Sequence, residues 1–344
     1  MLYPSGRITI QGKLSQATVP EDSLSALRVG IIGSGKLAQV RGDAFAAQHD
    51  AEVVAVASRR RANAERLAAR WGARATDDHT ELVARDGIDA VLVAVPHRVQ
   101  DDMVGWALDE GVHTLAGGPL ATTSARGREL TDLAARRGVI LEAGFEARYK
   151  SIWQATRDLL PTIGDPVSVQ AVALFDQDPD SWYYDQEASG GMLVTHLTYA
   201  FLNPLRWLLG RPRVAGALGV TKRVVRPGSV RPETCTVLLA FPSDIPCSLT
   251  ASYVKPPHLD GWQITVIGVD GSIELFPGDL DGGHLIHSSG PAEPRRVDGT
   301  PDGFHRQVAA FVAGARGETR DRLLNPAADA LQDLIICDEI TALL

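Results

Sequence analysis

Residues 28–38 read Arg28-Val29-Gly30-Ile31-Ile32-Gly33-Ser34-Gly35-Lys36-Leu37-Ala38. A short apolar run leads into a Gly-x-Gly-x-x-Ala turn, after which Leu37, Val40, Ala44 and Ala47 recur at helical spacing. Each small residue answers a physical need. The first glycine permits the tight turn, the second lets backbone approach a pyrophosphate, and Ala38 packs helix against strand. The first amides of that helix lack intrahelical partners and face the phosphate charge. Gly33, Ser34, Gly35, Lys36 and Leu37 are therefore expected to hold a dinucleotide.

The next strand, residues 52–57, runs into Ser58-Arg59-Arg60-Arg61. A site for NAD(H) carries an acidic residue at this strand end, bonded to the ribose hydroxyls. A 2′-phosphate needs a small polar residue and a guanidinium instead. Ser58 and Arg59 supply both, and Arg60 is placed to stack on adenine. The pattern favours NADP(H) over NAD(H).

Outward from this unit, strands and helices alternate. Helix is expected over 62–70, 99–110 and 123–137, and strand over 88–95, 112–116 and 139–143. Such alternation predicts a doubly wound, mainly parallel sheet of the Rossmann type, spanning residues 27–144. Residues 1–26 precede it as an arm, whose Arg7-Ile8-Thr9-Ile10 suits an edge strand. Beyond Asp165 strand-like runs follow one another at 167–175, 214–225, 234–241, 247–254, 262–269 and 272–276. They predict a second α/β domain, residues 145–344, built on a large, mainly antiparallel open sheet. Helices are expected at 192–209 and 302–315, and a loop or hairpin at 277–303. A last helix is expected with Asn325 as N-cap and Pro326 at its first position, packing back on the first domain.

Composition limits the function classes. The 344 residues suit two domains. A net charge of −8 argues against nucleic-acid binding. The three cysteines have no metal-ligand spacing, so neither a metal site nor a disulfide framework is expected. No apolar run reaches the roughly 18 residues of a membrane helix, and the N-terminus lacks a signal pattern. These features point to the cytoplasm and a small-molecule substrate.

Blocks along the chain place these readings in a family. Residues 29–38, Val95-Pro96-His97, Pro119-Leu120-Ala121, Gly144-Phe145-Glu146-Ala147-Arg148-Tyr149, Gly190-Gly191-Met192-Leu193 and Leu205–Gly210 occur in order. Together they resemble the Gfo/Idh/MocA oxidoreductases (glucose–fructose oxidoreductase, inositol dehydrogenase, rhizopine catabolism). The resemblance implies a Rossmann domain followed by an open-sheet domain whose face makes a homodimer or homotetramer. It also implies a Glu-Lys-Pro segment after the fifth strand, whose lysine hydrogen-bonds the reacting oxygen and touches the nicotinamide ribose. Here the segment reads Gly117-Gly118-Pro119, with glycine at the glutamate and lysine positions. It is still expected to line the cofactor, with Gly118–Pro119 cis. The family's Asp/His pair on the following helix is absent too. Aligned back from Trp207 the pair falls on His196 and Ala200. Aligned forward from Gly191 it falls near Thr195 and Tyr199.

With the lysine gone, the expected chemistry moves to the 192–209 helix. His196, Tyr199 and Asn203, at i, i+3 and i+7, would share one face of an α-helix. His196 and Tyr199 are then the catalytic candidates, and Asn203 binds substrate. Arg148 would clamp an anionic substrate, and Tyr183 and Tyr184 would border it. Pro96 and His97, at a strand end, are expected at the nicotinamide or ribose. The leading expectation is an NADP(H)-dependent oxidoreductase acting on a sugar-derived or specialised-metabolite carbonyl, or on an imine, which needs less help from an acid. The alternatives are a cofactor-binding protein without redox activity and a lyase or cyclase that reuses the pocket.

Overall fold

The fold is described by a computed structural model covering residues 25–176, 178, 180–222, 230–259, 261–278, 280–318 and 320–344. Most of the expected N-terminal arm, residues 1–24, lies outside them, as do residues 223–225 of the strand expected at 214–225.

The apolar runs of the first half form a six-stranded parallel sheet. Its strands are β1 (Leu27–Ile32), β2 (Ala51–Ala57), β3 (Arg74–Thr76), β4 (Ala90–Val93), β5 (His113–Ala116) and β6 (Leu141–Ala143), in the order β3-β2-β1-β4-β5-β6. Strand order reverses between β1 and β4, and the crevice outside the carboxyl ends of strands flanking such a reversal is where ligands bind in open α/β sheets. The helix Ser124–Arg137 shows why the intervening segments fold as they do. Thr123 caps it by accepting from the Arg126 amide, and Gly138 ends it at φ 71°.

The second sheet has eight strands. These are β7 (Pro166–Leu174), β8 (Arg213–Val220), β9 (Thr234–Phe241), β10 (Ile245–Ser252), β11 (Trp262–Gly268), β12 (Gly271–Phe276), β13 (His284–Ser289) and β14 (Arg295–Asp298). Their order is β14-β13-β12-β11-β7-β10-β9-β8, with only the β7–β10 pair parallel. The inner face, with Val169, Ala171, Val237, Leu249, Ile264 and Leu275, is buried under Trp153, Leu197, Phe201 and Leu205. The outer face carries Val172, Thr236, Thr250 and Leu218 in one cross-strand row, beside exposed Leu238 and Val220.

The last helix, Ala327–Thr341, ties the halves together. Leu331 and Leu334 pack into the first domain with Leu120 and Leu130, whereas Ile336, Cys337 and Ile340 pack into the second. Its start differs from expectation. Pro326 is the cap residue, and Asn325 turns its amide onto the Phe145 carbonyl (2.6 Å) instead of capping.

The helix expected at 192–209 is two structures. Residues Leu193–Leu202 wind as a π-helix, with the Asn203 amide on the Thr198 carbonyl, and Asn203–Leu209 continue as α-helix. The i→i+5 bonding widens the turn. This removes the single face expected for His196, Tyr199 and Asn203.

Candidate active site

Gly33 adopts φ +123°, and a Cβ there would run into the Ala94 carbonyl at the end of β4. Only glycine meets both demands. At Gly35 a Cβ would meet nothing within 4 Å, so the turn opens outward beside the start of helix Lys36–Ala46, which has no side-chain cap. Ser34 Oγ lies 2.9 Å from Ser58 Oγ, tying the turn to the end of β2. Arg59 and Arg60 project there into solvent. An open glycine cradle at a helix N-terminus with exposed guanidinium groups alongside fits a nicotinamide dinucleotide.

The loops after β4, β5 and β6 form the floor. Arg41, fully buried, holds it from beneath by donating to the Gly117 carbonyl (2.8 Å), the Gly144 carbonyl and Gln307 Oε1 (3.3 Å). Gln100 Nε2 donates to the Pro119 carbonyl at 2.8 Å. A Cβ on Gly117 would press on the Val93–Ala94 backbone, so close strand packing alone requires that glycine. The Gly118–Pro119 bond is trans, contrary to expectation.

His97 starts the helix after β4 and turns its ring across this floor. A Cβ on Gly118 would stand 2.9 Å from His97 Nε2. Nδ1 lies 2.8 Å from the Ser189 carbonyl. That oxygen can only accept, so Nδ1 carries the proton and Nε2 the lone pair. Thr195 Oγ1 donates to the same carbonyl (2.7 Å) and sits 3.3 Å from Nδ1. Burial holds the imidazole pKa down to about 4, against the opposing pull of the Ser189 bond.

The π-helix packs on these segments through Thr195 and Tyr199. Tyr199 donates to Glu146 Oε1 (2.6 Å) between the rings of Phe145 and Trp262. Glu146 is in turn 3.8 Å from both Arg41 and Lys150. His196 points elsewhere. It bonds the Tyr253 hydroxyl (2.9 Å) inside a cluster of Phe175, Tyr183 and Tyr253, where burial depresses its pKa to about 3. Asn203 donates to Asp333 (2.9 Å), and Asp333 and Asp329 also pair with Arg206. Arg148 spends its nitrogens on the Asn203 and Leu324 carbonyls and on Asp329. The structure thus places Asn203 and Arg148 in a buried ionic cluster of the second domain, not in an anion clamp. Tyr183 lies between His97 and His196, stacked on Trp182, while Tyr184 is buried against Tyr253.

Family models decide what this two-domain crevice belongs to. Residues 27–145 match the model described as an oxidoreductase family with an NAD-binding Rossmann fold, and 153–274 match the GFO/IDH/MocA C-terminal domain. The chain is a member of the Gfo/Idh/MocA oxidoreductase family. It is 31% identical over 326 residues to a dTDP-3,4-didehydro-2,6-dideoxy-alpha-D-glucose 3-reductase of Streptomyces antibioticus, covering 92% of this chain and 96% of that one. It is 30% identical to the D-glucoside 3-dehydrogenase of Escherichia coli over 196 residues, 55% of this chain and 56% of that one. In fold it resembles KijD10, a 3-ketoreductase from Actinomadura kijaniata solved with NADP and TDP-benzene. The TM-score is 0.81 at 22% identity, with 93% of this chain and 98% of that one covered. Like its family, the chain is an NAD(P)-dependent oxidoreductase.

This Gfo/Idh/MocA member has site residues that sequence reasoning passed over. Thr195 and Tyr199, the forward placement of the family pair, meet the loops after β4 and β6, whereas His196 of the backward placement enters the second-domain core. Glu146 lies in the family-like run 144–149, and nothing in that run signals that its carboxylate holds Tyr199. Arg41 reads as an ordinary helix-surface charge; only the close approach of the Gly117 and Gly144 carbonyls reveals it.

Proposed function

We propose that this chain interconverts a ketone and a secondary alcohol on a sugar-derived substrate, using NADP(H). The observation that carries the reading is the crevice itself. Gly117 and Gly118, without side chains, form a floor after β5 beside His97 Nε2, and Tyr199 is joined to it through Glu146 and Arg41, which holds the Gly117 carbonyl. A flat, hydroxyl-bearing ring can lie on such a floor, and the aromatic faces of Trp182 and Tyr183 suit its apolar side. The sugar class draws support from the relatives that act on sugar rings.

Gly33, Ser34, Gly35, Lys36 and Leu37 would hold the pyrophosphate, Ser58, Arg59 and Arg60 the 2′-phosphate, and Pro96 and Gly117–Pro119 the nicotinamide half. When bound, the dinucleotide supplies or takes the hydride. We assign Tyr199, oriented by Glu146, to contact with the substrate oxygen, and Tyr183 to the substrate ring. Assembly through the outer face of the second sheet, as dimer or tetramer, fits its exposed Val172, Leu218, Val220 and Leu238.

The test is a panel of free and nucleotide-linked keto-sugars, their alcohols and cyclic imines, each with NADPH or NADH (NADP+ or NAD+ for alcohols). Keto-sugar turnover with a KM for NADPH at least about tenfold below that for NADH is expected. Turnover of imines alone would overturn the substrate class. Tight dinucleotide binding without any turnover would favour the non-redox alternatives.

A further inference from the structure

We infer that His97 is the proton-transferring group of this enzyme and occupies the space a lysine at position 118 would need; the inference rests on the ketone–alcohol reading above. Three observations carry it. First, a Cβ on residue 118 would stand 2.9 Å from Nε2 but 3.7 Å from Cδ2 and Cε1. The Nε2 end of the ring is what meets Gly118, so a lysine stem there would have to displace this imidazole. Second, the ring is held from behind. Ser189 O fixes the proton on Nδ1, and Thr195 braces the same carbonyl. Third, Nε2 has no partner among the described residues and is not one of the side-chain atoms sealed from solvent without one. Its lone pair is therefore left without a protein partner at a position that solvent reaches.

A base of this kind fits alcohol oxidation. The substrate hydroxyl donates to Nε2. As the carbinol carbon loses its hydride to the dinucleotide, the O–H bond breaks, its electron pair becomes the carbonyl π bond, and the proton moves to Nε2. Reduction is the reverse, with the imidazolium returning the proton to the developing alkoxide. Buried as it is, the imidazole is neutral near pH 7, so the base form is the resting form. Few charges face it. On its own helix Arg98 is paired with Glu187 (2.8 Å) and Asp101 is bonded to Thr122; Tyr183 and His196 approach from the second domain. Oxidation should hold steady down to about pH 5 and decline as His97 protonates near pH 4, whereas reduction should accelerate towards acid.

The experiment compares wild type with His97→Asn, His97→Ala, Gly118→Lys and the double variant His97→Ala/Gly118→Lys, each checked for melting and for NADP(H) binding by fluorescence. His97→Asn should lose about 100-fold in kcat and the acid limb of the profile, with little change in dinucleotide affinity. Gly118→Lys alone should be similarly impaired. The double variant should run at least about tenfold faster than His97→Ala, within the usual range of acid–base contributions. His97→Asn with kcat within about threefold of wild type, far short of that contribution, and an unchanged pH profile overturns the assignment. A double variant no faster than His97→Ala overturns the shared space. Nitrogen-15 spectra of the imidazole read the same claim without turnover. A bare Nε2 that shifts on adding NADP+ and sugar supports it, and a protonated Nε2 refutes it. If wild type turns over no keto-sugar or alcohol, the ketone–alcohol reading fails by itself, while the spectra still judge His97.

Discussion

Ser34 Oγ and Ser58 Oγ meet at 2.9 Å, so the glycine turn and the end of β2 form one rim. On the NADP(H) reading, residue 58 should decide which ribose fits, with Arg59 and Arg60 exposed beside it. Ser58→Asp would set a carboxylate against a 2′-phosphate while offering an acceptor to ribose hydroxyls. The KM for NADPH should rise at least about tenfold, equivalent to about 1.4 kcal/mol, and that for NADH should fall. Arg59→Ala should raise the NADPH value by about 10- to 100-fold, the worth of one charge-assisted bond. Steady-state kinetics with both cofactors checks the pair; unchanged preference in both variants would remove the NADP(H) reading.

The two turn glycines should fail in different ways. Gly33 combines φ +123° with a collision of any Cβ against the Ala94 carbonyl, so Gly33→Ala should cost at least about 2 kcal/mol and lower the melting temperature. Gly35 has φ −82° and open space, so Gly35→Ala should melt like wild type. If the turn holds the pyrophosphate as proposed, its loss should appear only in dinucleotide affinity, because the added methyl enters the open space beside the turn. Calorimetry and dinucleotide titration on both variants separate the effects.

Asp333 is fully buried and joins Arg206 (2.9 Å) to Asn203 (2.9 Å) across the helix junction. Removing one partner of a buried pair leaves the other charge uncompensated. Asp333→Ala should therefore destabilise the protein by about 3–5 kcal/mol. Urea unfolding measures it. A loss below about 1 kcal/mol would mean that the pair behaves like a surface salt bridge.

The first domain was legible because its signals are local. Gly33 and Gly35, the alternation of apolar runs with helical spacing, and the basic end of β2 each sit within a few residues of the feature they specify. Three-residue β3 carries too little periodicity to read. α spacing puts His196 and Tyr199 on one face, whereas the π winding of Leu193–Leu202 parts them, and no local sequence signal marks that change of winding. The pairing of His97 with Gly118 links residues 21 positions apart, one at a helix start after β4 and one on the loop after β5, and only the fold brings them together. The resemblance marked Gly118 as a loss, and the structure shows what fills the space.

Two kinds of buried group should oppose each other in acid. Burial raises the Glu142 carboxyl from an ordinary 4.5 to about 7, the Tyr149 bond pulling the other way. The stability that this group lends is fully present below pH 4.5 and is lost as pH rises to 7. Burial lowers His97 to about 4 and His196 to about 3 from an ordinary 6.5. Their stabilisation is present above pH 6.5 and is lost as pH falls towards those values. Between pH 6.5 and 4.5 these three groups together release two protons on folding and take up one, so their joint contribution to stability should fall by roughly 1.4 kcal/mol per pH unit of acidification. Glu142→Gln keeps an acceptor for the Tyr149 hydroxyl but removes the uptake. The slope should then steepen by roughly 1.4 kcal/mol per unit, while stability at pH 8 rises by about 3 kcal/mol. Urea unfolding at half-unit pH steps resolves both changes, and a slope that Glu142→Gln leaves unaltered would show that this carboxyl titrates alike in the folded and unfolded chain.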